Sequence, residues 1–249
     1  MAASSKEYSP GSKPRRQGRI MTGTARALDR RPLAPPRGTA IAGVIFALLT
    51  IVGLGLVRYV IPADPHLPGT WLTQPDRREA VRFALDLVPF AGIAFLWFIG
   101  VLRNRLGELE DQFFATVFIA SGLLFVAALF VASAVTGVLT ESVETGHIDS
   151  QTYYFGRGIS DTLLNLFAMK MAGVFMFSTC TIGLRTAIFP RWVAFSGYAC
   201  AVVLLVVIAN WKWITLVFPI WMLLVSTQIL LAEFRSRHTR TNRPERHRD

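Results

Sequence analysis

Two apolar stretches lie back to back between Ala84 and Ala134, with only a short charged segment between them. The run reads ALDLVPFAGIAFLWFIGVLRNRLGELEDQFFATVFIASGLLFVAALFVASA. A bilayer's hydrocarbon core is about 30 Å thick, and a helix needs about 20 apolar residues to cross it. Inside that core the backbone has no water to bond to, so such stretches are restricted to helices or closed barrels. Apolar runs this long and continuous, without period-two alternation, point to helices. The charged segment holds Arg103, Arg105, Glu108, Glu110 and Asp111, and reads as a tight hairpin between two membrane-crossing helices.

The same pattern of apolar segment and short polar connector recurs along the chain. It predicts an all-α, polytopic transmembrane bundle of six spans, at about 39–61, 81–102, 113–139, 162–184, 192–208 and 213–231. Residues 1–38 are expected to be a disordered basic tail, rich in Pro and Arg and too poor in apolar surface to offset the entropy of ordering. Residues 232–249 form a second basic tail. No apolar segment precedes residue 40, so the beginning does not read as a signal peptide, and Met21 is an alternative start. The connector from Pro62 to about Arg82 is expected to be irregular, with a short helix near Pro75–Ala80. The connector from Thr140 to Asp161 is acidic. Pro89 and Pro219 fall inside spans and predict kinks. In the third span Ala120, Ala127 and Ala134 form a small-residue stripe that suggests close packing, inside the bundle rather than at a dimer face.

Charged residues make up 17% of the chain, against about 25% in soluble domains. The net charge of +10 does not point to nucleic acid, because the basic residues gather beside the spans as the positive-inside rule demands. With a cytoplasmic N-terminus, nineteen Lys and Arg fall on the inner side: nine in residues 1–38, then Arg103, Arg105, Arg185, Arg191 and six beyond Leu231. Six fall outside: Arg58, Arg77, Arg78, Arg82, Arg157 and Lys212. The bias places both termini in the cytoplasm and the protein in the inner (plasma) membrane. Its partners are then the lipid bilayer, anionic headgroups bound by the basic tails, and a second copy or another membrane protein.

Ionisable residues within spans are expensive and are the first candidates for function. Asp86 in the second span and Lys170 in the fourth fall at similar depth, and Asn165 lies close to Lys170 in sequence. The three define a candidate intramembrane polar site, either a cavity for a small solute or proton, or a structural pair joining two helices. Structural pairing is the simpler reading. Arg58 sits near the end of its span, where it can snorkel to the interface. The hinge charges Arg103, Arg105, Glu108, Glu110 and Asp111 fit the helix dipoles on either side, with Gly107 placed for a left-handed cap. Their functional alternative is a docking surface shared with Arg185 and Arg191.

The four histidines, His66, His147, His238 and His247, all fall outside the spans, and Cys180 and Cys200 lie singly in apolar runs. No metal site, cofactor, phosphate loop or dinucleotide fingerprint is indicated, and the balance leans away from an enzyme.

The segment from Asp86 to Phe118 resembles an uncharacterised family of actinobacterial six-span integral membrane proteins. The residues carrying the likeness are Asp86, Pro89, Phe90, Gly92, Ile93, Phe95 and Trp97, then Arg103, Gly107, Glu108, Glu110, Asp111, Phe113, Phe114 and Thr116. The resemblance implies an architecture and a membrane address but no activity. The expectation is therefore a non-enzymatic membrane protein acting by interaction or structure, with a transporter of small solutes or protons around Asp86 and Lys170 as the alternative.

Overall fold

The computed structural model describes residues 36–61, 74–106, 112–146, 149–186, 190–206 and 213–241, and these are helical with no strand among them. The helices are α1 (Pro36–Val60), α2 (Pro75–Leu106), α3 (Gln112–Glu144), α4 (Ser150–Thr162), α5 (Met169–Thr186), α6 (Arg191–Val206) and α7 (Val217–Thr241). A π turn, Leu163–Ala168, fuses α4 to α5, and a 3₁₀ turn, Ile214–Leu216, leads into α7. Residues 1–35 and 242–249, the hinge residues Glu108, Glu110 and Asp111, and most of the connector after Pro62 lie outside the described residues, whereas the first ten residues of the expected second tail continue α7 as helix to Thr241.

Five stretches are long and apolar enough to cross a membrane: Gly38–Val60, Pro75–Arg103, Phe113–Glu144, Ser150–Arg185 and Ile214–Leu231. The chain is a helical, multi-pass membrane protein. The expected fifth span is the exception. Helix α6 has 16 residues, about 24 Å at 1.5 Å per residue, which is short of a full crossing.

The helices outrun the apolar pattern at one end of the bundle. The predicted short helix at Pro75 is the first turn of α2, with Pro75 at the position that lacks a backbone partner anyway and Asp76 against the helix dipole. The acidic connector from Thr140 is mostly helix too, because α3 continues to Glu144 and α4 starts at Ser150. Gly146, with φ of 68°, ends α3 as its amide donates to the Val143 carbonyl. Asp149 then caps α4, its carboxylate accepting from the Gln151 amide at 3.2 Å.

The two prolines behave differently. Helix α2 runs unbroken through Pro89. Pro219 lies in the first turn of α7, where a missing amide costs little. The small-residue stripe corrects an expectation: Ala120, Ala127 and Ala134 face outward, while the neighbouring Ser121 and Gly122 face in.

The core is an aromatic hub. Phe46 of α1, Phe95 of α2, Phe125 of α3, Phe175 of α5 and Phe218 of α7 are all buried. Phe46 lies 4.5 Å from Phe95 and 5.8 Å from Phe218, ring centre to ring centre. Phe125 and Phe218 meet edge to face at 4.9 Å, and Phe95 and Phe175 lie tilted at 5.0 Å. Lipid tails are as apolar as these rings, so burial alone does not drive helices together in a membrane. Interlocking ring geometry does, at about 0.5–1.5 kcal/mol per pair.

Candidate functional site

The polar residues of the bundle converge where α1 and α3 end and α2 and α4 begin. Tyr153, Arg157, Asp161 and Asn165 recur every fourth residue along α4 and the π turn. In an α-helix of 3.6 residues per turn such a row drifts by about 40° per step. The wider π turn counters that drift, and Asn165 comes to face α1. There Arg58 Nη2 donates to Asn165 Oδ1. Asn165 Nδ2 donates to Asp161 Oδ1 at 2.5 Å. Arginine can only donate and carboxylate can only accept, so the amide bridges them in a fixed orientation. Arg157 hydrogen-bonds to Tyr153 and lies within electrostatic reach of Asp161. Arg58 and Arg157 are each only 8% exposed.

Beside this row, hydroxyls join α3 to α4. Thr136 and Ser160 share a 2.7 Å hydrogen bond, and Ser160 Oγ also donates to the Ala132 carbonyl at 3.0 Å. A cavity of about 50 Å³ lies between α1, α2, α3 and the start of the π turn, with Thr50, Ser133, Thr136, Ser160 and Leu164 in its wall. At the rim, Glu144 of α3 pairs with Arg82 and, at 3.9 Å, with Arg78, both on α2.

The three residues expected to form one site are placed apart. Asn165 belongs to the row just described. Lys170 turns away from it, its Nζ donating to the Leu204 carbonyl at 3.1 Å and the Leu205 carbonyl at 2.5 Å. Those are among the last carbonyls of α6, which have no partner within their own helix. Asp86 is exposed in an open groove between α2 and α3 that also holds Arg82, Pro89, Phe90 and Glu141. Its carboxylate bonds to no group among the described residues, so the expected Asp86–Lys170 pair does not form. The partners sequence reasoning did not join to the site are Arg58, read as snorkelling, and Arg157, counted with the outer connector, together with Tyr153. The four-residue spacing was the available signal.

Of the hinge charges, Arg103 is exposed at the end of α2, while the side chain of Arg105 and the residues Glu108, Glu110 and Asp111 are outside the described residues. Arg185 lies over the Phe114 ring at 5.0 Å, which brings the end of α5 to the start of α3. Among the described residues no three His, Cys, Asp or Glu are placed to hold a metal ion.

These features define a helical multi-pass membrane protein with a bridged arginine–amide–carboxylate row at one end. Comparison with protein-family models, curated proteins and solved structures returned no match to this chain.

Proposed function

We propose that the protein is a six-span bundle of the plasma membrane, with both termini cytoplasmic, that acts through structure and interaction rather than by catalysis. Helix α6 serves as the short fifth span, and the lysine and arginine imbalance between connectors supports the orientation. The basic tails bind anionic headgroups, and lipid or another membrane protein, including a second copy, covers the apolar outer faces.

One observation carries the reading: Lys170, the charge most like a transport group in sequence, is bonded to the end of α6. A proton carrier needs a titrating group that can exchange partners, whereas Lys170 supplies donors to carbonyls that would otherwise be stranded in apolar surroundings. The test uses purified protein in liposomes loaded with a pH-sensitive dye. The expected result is proton leakage equal to that of empty vesicles, while Lys170→Met lowers the Tm in detergent. Proton flux that is present in the wild type and lost in Lys170→Met or Asp161→Asn would overturn the reading in favour of transport.

A further inference from the structure

The cavity beneath the arginine row has a polar group with nothing to bind. Thr50 stands near the middle of the Gly38–Val60 span, is 5% exposed, and contributes to the cavity wall. Its Oγ1 is buried with no hydrogen-bond partner among the described residues. Threonine in a membrane helix ordinarily bonds back to a carbonyl one turn earlier, as Thr136, Thr140 and Thr179 do here. Thr50 does not. Across the cavity, Ser133 Oγ donates to the Leu129 carbonyl, and Thr136 and Ser160 donate to the Ala132 carbonyl or to each other. Their protons are committed, and their lone pairs are what they can still offer. An occupant must therefore accept from Thr50 and donate to the opposite wall. Water does both.

Space agrees with chemistry. About 50 Å³ accommodates roughly three to five waters at 10–15 Å³ each, and the site offers the two to four polar partners a buried water needs. The cavity's upper residues, Val57 and Leu164, are each one position from Arg58 and Asn165. Arg58 Nε is itself buried without a partner among the described residues. Its floor is equally defined. Thr50, Ala91 and Leu129 line the cavity, and four residues from each, one helical turn, are Phe46, Phe95 and Phe125 of the aromatic hub. Phe46 lies 6.2 Å from Phe125, and Phe95 lies 5.4 Å from Phe125.

We propose that this cavity is a hydrated vestibule, entered past the Arg58–Asn165 bridge, holding a short file of water down to Thr50 at mid-membrane and closed below by the phenylalanine hub. The site takes water or an uncharged hydroxylic molecule no larger than that file. The phenylalanines act as a dry constriction. This goes beyond the structural reading above and does not depend on it.

Thr50→Val, which keeps shape and removes the hydroxyl, separates the alternatives by sign in the purified full-length protein. If water binds Thr50, the variant strands the file and lowers the Tm by about 2–4 °C. If the cavity is dry, the variant removes an unsatisfied hydroxyl and leaves the Tm unchanged or raises it, which overturns the proposal. Xenon gives a second reading that needs no variant. A dry apolar cavity takes xenon, so saturable shifts of the Ala91 or Ala132 methyl resonances under xenon pressure would also overturn it, and no shift is expected. The floor is tested by osmotic shrinkage of proteoliposomes. Phe46→Ala is expected to raise water permeability at least twofold over the wild type, and Thr50→Val combined with Phe46→Ala to reduce that gain. Permeability unchanged in a folded Phe46→Ala protein would refute the constriction.

Discussion

Lys170 is where the sequence pointed and where the structure gives a different answer. An ammonium in an apolar span needs acceptors, and a carboxylate on a neighbouring helix is the obvious candidate. Here the acceptors are backbone carbonyls at the end of α6, two hydrogen bonds from one charge. Removing the donor would leave those carbonyls unsatisfied, at about 1–3 kcal/mol. Lys170→Met should therefore destabilise the protein by about that amount, measured by unfolding in detergent, and Lys170→Arg should recover much of the loss because it restores donors. Asp149 offers a contrasting case at the water-exposed start of α4. Bonds from Thr152 and the Gln151 amide hold its carboxyl below the usual carboxylate range. A depressed folded pKa contributes stability that is complete above the ordinary carboxylate pKa and is lost as pH falls through the lowered one. The Tm difference between the wild type and Asp149→Ala should be present at pH 7 and shrink towards zero in acid below the ordinary Asp pKa, near 4. A difference that stayed constant across that window would mean the carboxylate contributes nothing as a cap.

At the scale of elements, α6 most needs an account, since it is too short to span alone. It is held at its end by Lys170 and along its length by close packing. A Cβ placed on Gly197 would come within 2.3 Å of Cys180 Sγ on α5 and 2.7 Å of Trp221 Nε1 on α7. Only glycine lets three helices meet there, and Trp221 Nε1 approaches the Val193 carbonyl at 3.5 Å across the same junction. Gly197→Ala should cost about 1–3 kcal/mol through overpacking. Cys180→Ala in the same chain should return part of it, because it removes the nearest atom; equal losses in the single and double variants would place the strain elsewhere.

The existence of the helices was legible because apolar length is a direct readout of the bilayer. Their ends were not. Beyond the membrane α2 begins at Pro75 and α3 continues to Glu144, governed by caps and by Arg82–Glu144 pairing rather than by hydropathy. The polar row Tyr153, Arg157, Asp161, Asn165 was written in the sequence at a regular interval. Its target Arg58 was not, because which face of α1 meets α4 and the π turn is a tertiary fact, and π turns carry no distinctive sequence.

For the molecule as a whole, the two ends of the bundle are built differently. One end gathers Arg58, Arg78, Arg82 and Arg157 with Asp161 and Glu144, and each of these four arginines has a carboxylate, amide or phenol within reach. At the other end Arg103 is exposed and Arg185 faces an aromatic ring, and the sequence continues into tails rich in arginine. The positive-inside rule counts lysines and arginines in short connectors and near the ends of spans, and that count is larger at the end that carries the tails. The asymmetry of number predicts that α4 starts outside and α7 ends inside. With Cys180 and Cys200 replaced by Ala, a cysteine at Ser150 should react with a membrane-impermeant maleimide in intact cells, and one at Ser236 only after permeabilisation. If α6 failed to cross, the number of crossings before α7 would change by one. Ser236 would then lie outside and label as fast as Ser150. The same pair of measurements thus decides both the orientation and whether a helix of 16 residues, its end bonded by Lys170 of α5, makes the fifth crossing.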